Sequence, residues 1–478
     1  MQKRTQEEKK KLKNEPKAPI VETLQKAYDN PSYQFHIPGH TRGNGTLKAF
    51  KQLLGTKALK VDTTDEFDNL GTLHPATGAI KEAEELAAQA FNAQRTFFLL
   101  NGSTVGNLAL AMSVTKKGQK IITNRNCHRS LLTGMIISGA EPVWLIPEKL
   151  EDWGLWGSIN PEKIENLLKT TKDVGAVWIT NPTYEGVVSD IKTISEICKK
   201  YDVPLIVDEA HGSLWSFNDS LPTPALELGA DAVVQSLHKT GGSMSQSSML
   251  HIAHNSKLDV KKVEKALKLL HTTSPSLILL ASLDAARANL TSENGQKQIE
   301  RAVKNSKYLR KRIDKMKNIH QLKTDFGFKT DITKVFIKVD GLSGKRLESI
   351  LEIDFNIEVE SASDIGALVL VNLGNKRSEI KYLADCLEKI TTTDYSDIYH
   401  LENKKHMPMI TPNIKYNLRE AFYMEKEIVK KEDAIGRISG EVIAECPPGI
   451  AILLPGELIT EEHLPYLMDY EEIEVIKE

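Results

Sequence analysis

Between residues 93 and 290, short β-rich runs alternate with helical stretches, and this alternation constrains the fold more than any other feature. Residues 96–100, 120–123, 142–146, 176–180, 203–207 and 232–234 read as strands. Residues 104–114 and 189–201 read as helices among them, and 261–270 and 276–290 as helices after them. Such a pattern predicts βαβ units, a parallel sheet and a three-layer α/β architecture. At 478 residues the chain exceeds one ordinary core, which implies two or three domains.

The flanks are organised differently. Residues 18–92 mix helical periodicity with loops rich in Gly, His and Pro; good helix formers with apolar residues at helical spacing predict a helix over 80–91. After 290, a charged helix is expected to run on from 276–290 through 296–317 and to link a large domain to a small one. The small domain reads as strand 334–339, helix 344–351, strand 356–360, strand 367–373 and helix 378–389. Residues 391–409 read as a polar linker and the tail as turn-rich. The expected division is therefore 1–92, 93–290, 291–392 and 393–478.

Composition excludes several classes. A net charge of −2 gives no long-range field toward nucleic acid or an anionic membrane. The 4 cysteines (Cys127, Cys198, Cys386, Cys446) lie far apart with no zinc spacing, which fits a reducing cytoplasm and no metal site. The first 17 residues are polar and charged, unlike a signal peptide, with 9–13 reading as a solvated helix. No run approaches a membrane span.

In open α/β sheets, ligands bind where strands end. Asp208-Glu209-Ala210-His211 ends one strand, and Ser236-Leu237-His238-Lys239-Thr240 ends another. A lysine flanked by Ser, His and Thr can form a Schiff base with an aldehyde while its neighbours hold a phosphate, the requirement of pyridoxal 5'-phosphate chemistry. Asn101-Gly102-Ser103-Thr104 opens a helix after another strand, which suits either a phosphate or a simple helix cap. His128, after a further strand, can stack on a cofactor ring or serve structure. Asp208 can pair with a pyridinium nitrogen or cap a helix. There is no dinucleotide fingerprint, and Gly341-Leu342-Ser343-Gly344-Lys345 lacks Walker spacing.

With these residues in place, the chain resembles the Orn/Lys/Arg decarboxylase class I family. The resemblance rests on Phe35-His36-Ile37-Pro38-Gly39-His40, Leu73-His74-Pro75-Ala76-Thr77-Gly78, Asn181-Pro182-Thr183-Tyr184 and Asp208-Glu209-Ala210-His211-Gly212. Further support comes from Ser236-Leu237-His238-Lys239, Ser245-Gln246-Ser247-Ser248, Thr272-Thr273-Ser274-Pro275-Ser276 and Pro447-Pro448-Gly449 with Pro455-Gly456-Glu457. It implies the aspartate aminotransferase-like fold type I, with a mainly parallel seven-stranded sheet in the large domain and smaller α+β domains after it. It also implies that Lys239 is the Schiff-base lysine, Asp208 the partner of the pyridine nitrogen and His128 the ring-stacking residue. Ser103, Thr104, Ser236 and His238 would hold the phosphate, His211 would lie near the cofactor, and Tyr184 would line the pocket. Thr272 would reach a neighbouring subunit's phosphate, making the active site a property of a homodimer. The family motifs begin by residue 35, without the extra N-terminal domain of decameric relatives, so a decamer is not expected. Cys446 stands where relatives often carry an aromatic residue.

The activity implied is decarboxylation of a basic amino acid, L-arginine to agmatine first, then lysine to cadaverine, then ornithine to putrescine. Glu457 is the first candidate partner for the substrate's cationic end, with Asp65, Glu66 and Asp68 behind it. Two other readings stay open: an aminotransferase or β-eliminating lyase, for which Arg377, Arg419 and Arg437 would have to supply a carboxylate site, and a pyridoxal phosphate-binding regulator without turnover.

Overall fold

The computed structural model describes residues 16–64, 69–323, 329–393, 395 and 408–477. Asp65, Glu66 and Asp68, the N-terminal stretch 9–13 and most of the linker 391–409 lie outside the described residues.

The principal sheet is built from β1 (Arg95–Leu99), β2 (Lys120–Asn124), β3 (Glu141–Leu145), β4 (Val174–Thr180), β5 (Leu205–Asp208), β6 (Ala232–Gln235) and β7 (Ser248–Ile252). Its order is β1-β7-β6-β5-β4-β2-β3. All pairs from β6 to β3 are parallel, whereas β7 runs antiparallel to both β6 and β1. Strands covered on both faces must be apolar along their length, and β4, β5 and β6 are. Leu110, Leu132 and Leu267 belong to the core packed on one face of this sheet, and Ile80, Leu280 and Ile299 to the core on the other.

β7 falls where no strand is expected. Its sequence, Ser-Met-Leu-His-Ile, carries a polar residue in mid-strand, yet every position is buried. The histidine is accommodated by a cross-strand hydrogen bond, Thr96 Oγ1 to His251 Nδ1 at 2.8 Å. This strand completes the seven.

The expected long helix is two helices, Leu277–Thr291 and Glu293–Ile313. Ser292, in extended conformation, breaks the run and caps the second helix by accepting from the Gly295 N–H at 2.9 Å. The smaller sheet comprises β8 (Ile319–Gln321), β9 (Lys334–Val339), β10 (Ser361–Ala362) and β11 (Ala367–Leu370), in the order β8-β9-β11-β10 and antiparallel throughout. Residues 356–360 do not form the strand expected of them. Asn356 instead closes the helix Gly344–Phe355 in the left-handed conformation, and the chain then runs irregularly to β10. In the C-terminal region β12 (Lys426–Lys430) pairs with β13 (Glu472–Ile476). Leu418, Ala451 and Leu454 join the core of the principal sheet, which seats this region beside the strand ends.

Among the described residues no helix is long and apolar enough to cross a membrane, and no cluster of side chains could hold a metal ion.

Candidate active site

The carboxyl ends of β1, β2, β4, β5 and β6 open onto one cavity of about 250 Å³. Its floor is Asp208, the last residue of β5 and only 4% exposed. Asp208 Oδ2 accepts from Asn107 Nδ2 at 2.9 Å and Oδ1 from the Ala210 N–H at 3.2 Å. Asn107 reaches it from the helix Gly102–Val114 and also donates to Ser130 Oγ at 2.9 Å. Asn107 carries no assignment in the sequence reading; its signal is an amide on a helix otherwise rich in Leu and Ala.

Lys239 stands opposite, on the single helical turn Leu237–Thr240 that Ser236 opens directly after β6. Its Nζ lies 3.1 Å from His211 Nε2. Burial pushes the ammonium below its ordinary pKa, against the opposing pull of Asp208 and Glu360. Burial also holds His211 well below the usual histidine range, assisted by the charges of Lys239 and Lys334.

At the helix start, Gly102 takes φ +67° and its N–H donates to Gln246 O at 2.8 Å. The hydroxyls of Ser103 and Ser236 meet at 2.7 Å, and Ser103 Oγ also reaches Ser248 Oγ at 3.3 Å. Thr104 lines the same corner, as does His238, whose Nδ1 is 2.8 Å from Ser247 O. Hydroxyls and backbone N–H groups at a helix N-terminus form a ready anion site.

His128 caps the helix Arg129–Ser138 through Nδ1, which accepts from the Ser130 N–H at 3.2 Å. Burial lowers its pKa, with Asp208 pulling the other way. Gly449 backs the ring closely: a Cβ there would lie 2.6 Å from His128 Cδ2, and its φ of +79° also favours glycine. The Pro447-Pro448-Gly449 turn thus forms a wall of the site.

Tyr184 separates this cavity from a second of about 660 Å³, and both are lined by Tyr184 and Pro448. The Tyr184 hydroxyl donates to Glu360 Oε1 at 2.5 Å, and burial raises the phenol pKa far above its usual range. Glu360, Glu185, Glu348, Glu445 and Asp469 line the second cavity, with Lys345, and Cys446 is on its wall.

The sequence-predicted residues Ser103, Thr104, His128, Tyr184, Asp208, His211, Ser236, His238 and Lys239 therefore converge on one cavity. Thr272 does not; it is exposed on the loop after Val260–Leu270. Glu457 is corrected. It is 0% exposed and faces neither cavity. Its Oε2 accepts from the Leu454 N–H at 3.0 Å, its Oε1 lies 3.3 Å from His463 Nε2, and it sits near the buried Arg125. The Pro-Gly-Glu turn folds inward instead of toward the crevice. Arg377, Arg419 and Arg437 are committed elsewhere, to Lys304 O, to Ile136 and Ile137 O, and to Glu427, so none supplies a carboxylate site here.

A sheet of this order, with a lysine after one parallel strand and a carboxylate ending the next, has the fold type I architecture of its solved structural neighbours. More particularly, the chain belongs to the Orn/Lys/Arg decarboxylase family: the family's major domain matches residues 18–337 and its C-terminal domain residues 400–475. It is 36% identical over 457 residues to an arginine decarboxylase of Bacillus subtilis, covering 94% of this chain and 92% of that protein. An arginine decarboxylase of Halalkalibacterium halodurans is 38% identical over 451 residues, 93% and 91% of the two chains. The solved structure of the constitutive lysine decarboxylase of E. coli matches with a TM-score of 0.82 over 96% of this chain and 82% of that one, at 22% identity.

Proposed function

We propose that this chain is a pyridoxal phosphate-dependent carboxy-lyase that converts L-arginine to agmatine and CO₂. The observation that carries the reading is that Lys239 and Asp208 line one cavity at the strand ends, with an acidic cavity immediately beyond Tyr184. The likeness to arginine decarboxylases over more than nine-tenths of the chain supports the choice of substrate.

The residues fit the cofactor. The Ser103 and Ser236 hydroxyls, bonded to each other and, for Ser103, to Ser248, can turn to an anion at the start of the helix Gly102–Val114. Lys239 would hold the aldehyde; Ser103, Thr104, Ser236 and His238 the phosphate; His128 a ring face; and Asp208 the ring nitrogen. When bound, the group supplies an electron-accepting ring next to the carbon that loses CO₂.

The chain's own residues supply the rest. Asp208, fixed by Asn107 and the Ala210 N–H, would keep a proton on the ring nitrogen, a preorganised electrostatic contribution. His128 and the Pro447-Pro448-Gly449 turn exclude water from one side. Glu360, oriented by Tyr184, takes the place first given to Glu457 as partner of the guanidinium, because a cation in a closed pocket needs a carboxylate. The enzyme would act as a cytoplasmic homodimer in polyamine synthesis. The support for a dimer is Thr272, exposed away from its own cavity, together with Tyr33 and Phe35, 95% and 98% exposed.

The test is incubation of purified protein with pyridoxal phosphate and, separately, arginine, lysine and ornithine, with the amine identified by mass spectrometry. Agmatine is the expected product. Keto acid in place of CO₂, or bound cofactor without any amine, would overturn the assignment.

A further inference from the structure

His211 lies in the turn after Asp208, 5% exposed, with Tyr184 edge-on to its ring at a centroid separation of 5.1 Å. Its Nε2 is 3.1 Å from Lys239 Nζ, and its Nδ1 is buried with no hydrogen-bond partner. A neutral imidazole carries one hydrogen. Placed on Nδ1, that hydrogen would be a buried, unpaired N–H, the rarer and costlier kind of orphan; placed on Nε2, it has Lys239 to bond. If Nε2–H donates, Nζ must offer a lone pair, so the amine is uncharged.

The surrounding charges favour a neutral imidazole, and burial, against the nearby acids, favours an uncharged amine. Lys334, on β9, is buried behind Tyr184; its Nζ donates to Tyr184 O at 2.6 Å and lies 5.3 Å from the ring centroid. Gly186 packs against its aliphatic stem, where a Cβ would meet the Lys334 side chain at 2.9 Å. Lys334, His238, His128 and Lys239 all disfavour a proton on His211. Asp208, Glu360 and Cys446 are the groups that draw a proton onto Lys239. Burial opposes both, and it pushes Lys334 itself down to about 8.

We propose that His211 is the acid–base partner of Lys239, presenting its amine as a free nucleophile and lending the Nε2 hydrogen to the oxygen expelled when that amine condenses with an aldehyde. The step balances. The Nζ lone pair bonds the carbonyl carbon and the C–O π pair moves to oxygen. Both amine hydrogens finally leave with that oxygen as water; the imidazole gives one hydrogen from Nε2, recovers one from Nζ, and ends as it began. Lys334 is a positioning residue, its buried charge, while it holds its proton, discouraging a proton on His211. The inference rests on the assignment of Lys239 as the cofactor-bearing lysine.

The experiment reads capture, not turnover. Full-length protein freed of cofactor is mixed with pyridoxal phosphate across a pH series and quenched at intervals with borohydride, and the tag on Lys239 is weighed after digestion. His211→Gln, which keeps an N–H donor that cannot be given up, should retain the pH midpoint of capture and lose about a hundredfold in rate. His211→Phe should lose rate and also move the midpoint upward. Lys334→Met should move the midpoint upward with a smaller loss of rate. Wild-type rate and midpoint in both His211 variants would overturn the inference while leaving Lys239 as the cofactor site; a wild-type protein with no tag on Lys239 would overturn both. Should the variants not fold, neutron diffraction of the wild-type protein decides: hydrogen on His211 Nε2 supports the proposal, and hydrogen on Nδ1 overturns it.

Discussion

Asp208 and Glu457 are both buried carboxylates, 4% and 0% exposed, one at the end of the principal sheet and one in the C-terminal region. Each accepts one backbone N–H and one side-chain hydrogen bond. They differ in what surrounds them. Asp208 ends a parallel strand, where the main chain must leave the sheet, and so borders the crevice. Glu457 lies in a turn whose neighbours Leu453, Leu454 and Ile459 are core residues, so its side chain is drawn inward with them. Burial is common to the two carboxylates; the position of the strand or turn relative to the crevice is what differs.

The comparison can be broken at the strand ends first. Lys239→Ala is expected to lower decarboxylation by about a thousandfold or more, at about 1.4 kcal/mol of barrier per factor of ten, as measured by CO₂ release from labelled arginine. Asp208→Asn keeps the acceptor for Asn107, turns an NH₂ toward the Ala210 N–H and loses the charge, and should cost roughly a hundredfold in kcat, about 3 kcal/mol, with a lower thermal midpoint but the fold intact by circular dichroism. A variant as active as the wild type would remove Asp208 from the reaction.

How much of this is legible in the sequence follows the same geometry. Lys239, Asp208 and His128 lie within a few residues of strand ends, so an apolar run and the polar residues after it locate them. The parallel strands read clearly because burial on both faces makes them continuous apolar runs. β7 does not, because its histidine looks exposed until Thr96 is known to lie across from it. The break at Ser292 was likewise hidden, since Ser is tolerated inside a helix and only its capping bond reveals the boundary. Glu360 and Lys334 depend on closure of the smaller sheet against the loop that carries Tyr184, a contact with no local sequence pattern.

Glu360 sharpens the comparison on the substrate side. Glu360→Gln removes a charge beside Tyr184 and should raise KM for arginine about tenfold to a hundredfold, with a smaller change in kcat, since a charge-assisted pair contributes roughly 1.5–3 kcal/mol. Steady-state kinetics separate the two constants. An unchanged KM would move recognition of the guanidinium to another wall of the acidic cavity.

Glu457→Gln should act on stability and spare KM. His463 Nδ1 accepts from the Thr460 N–H, which places its hydrogen on Nε2, facing Glu457 Oε1. The carboxylate therefore receives two donors, the His463 Nε2–H and the Leu454 N–H. An amide offers one oxygen and turns an NH₂ toward the other donor, leaving a buried group unpaired at a cost of about 1–3 kcal/mol. The nearby Arg125 guanidinium, itself buried, loses a compensating charge in the same substitution. A lower thermal midpoint with KM for arginine within about twofold of wild type is expected, since a fold difference of that size corresponds to less than about 0.5 kcal/mol. A rise in KM as large as that of Glu360→Gln, with the thermal midpoint unchanged, would return Glu457 to the substrate site and reverse the distinction between the two carboxylates.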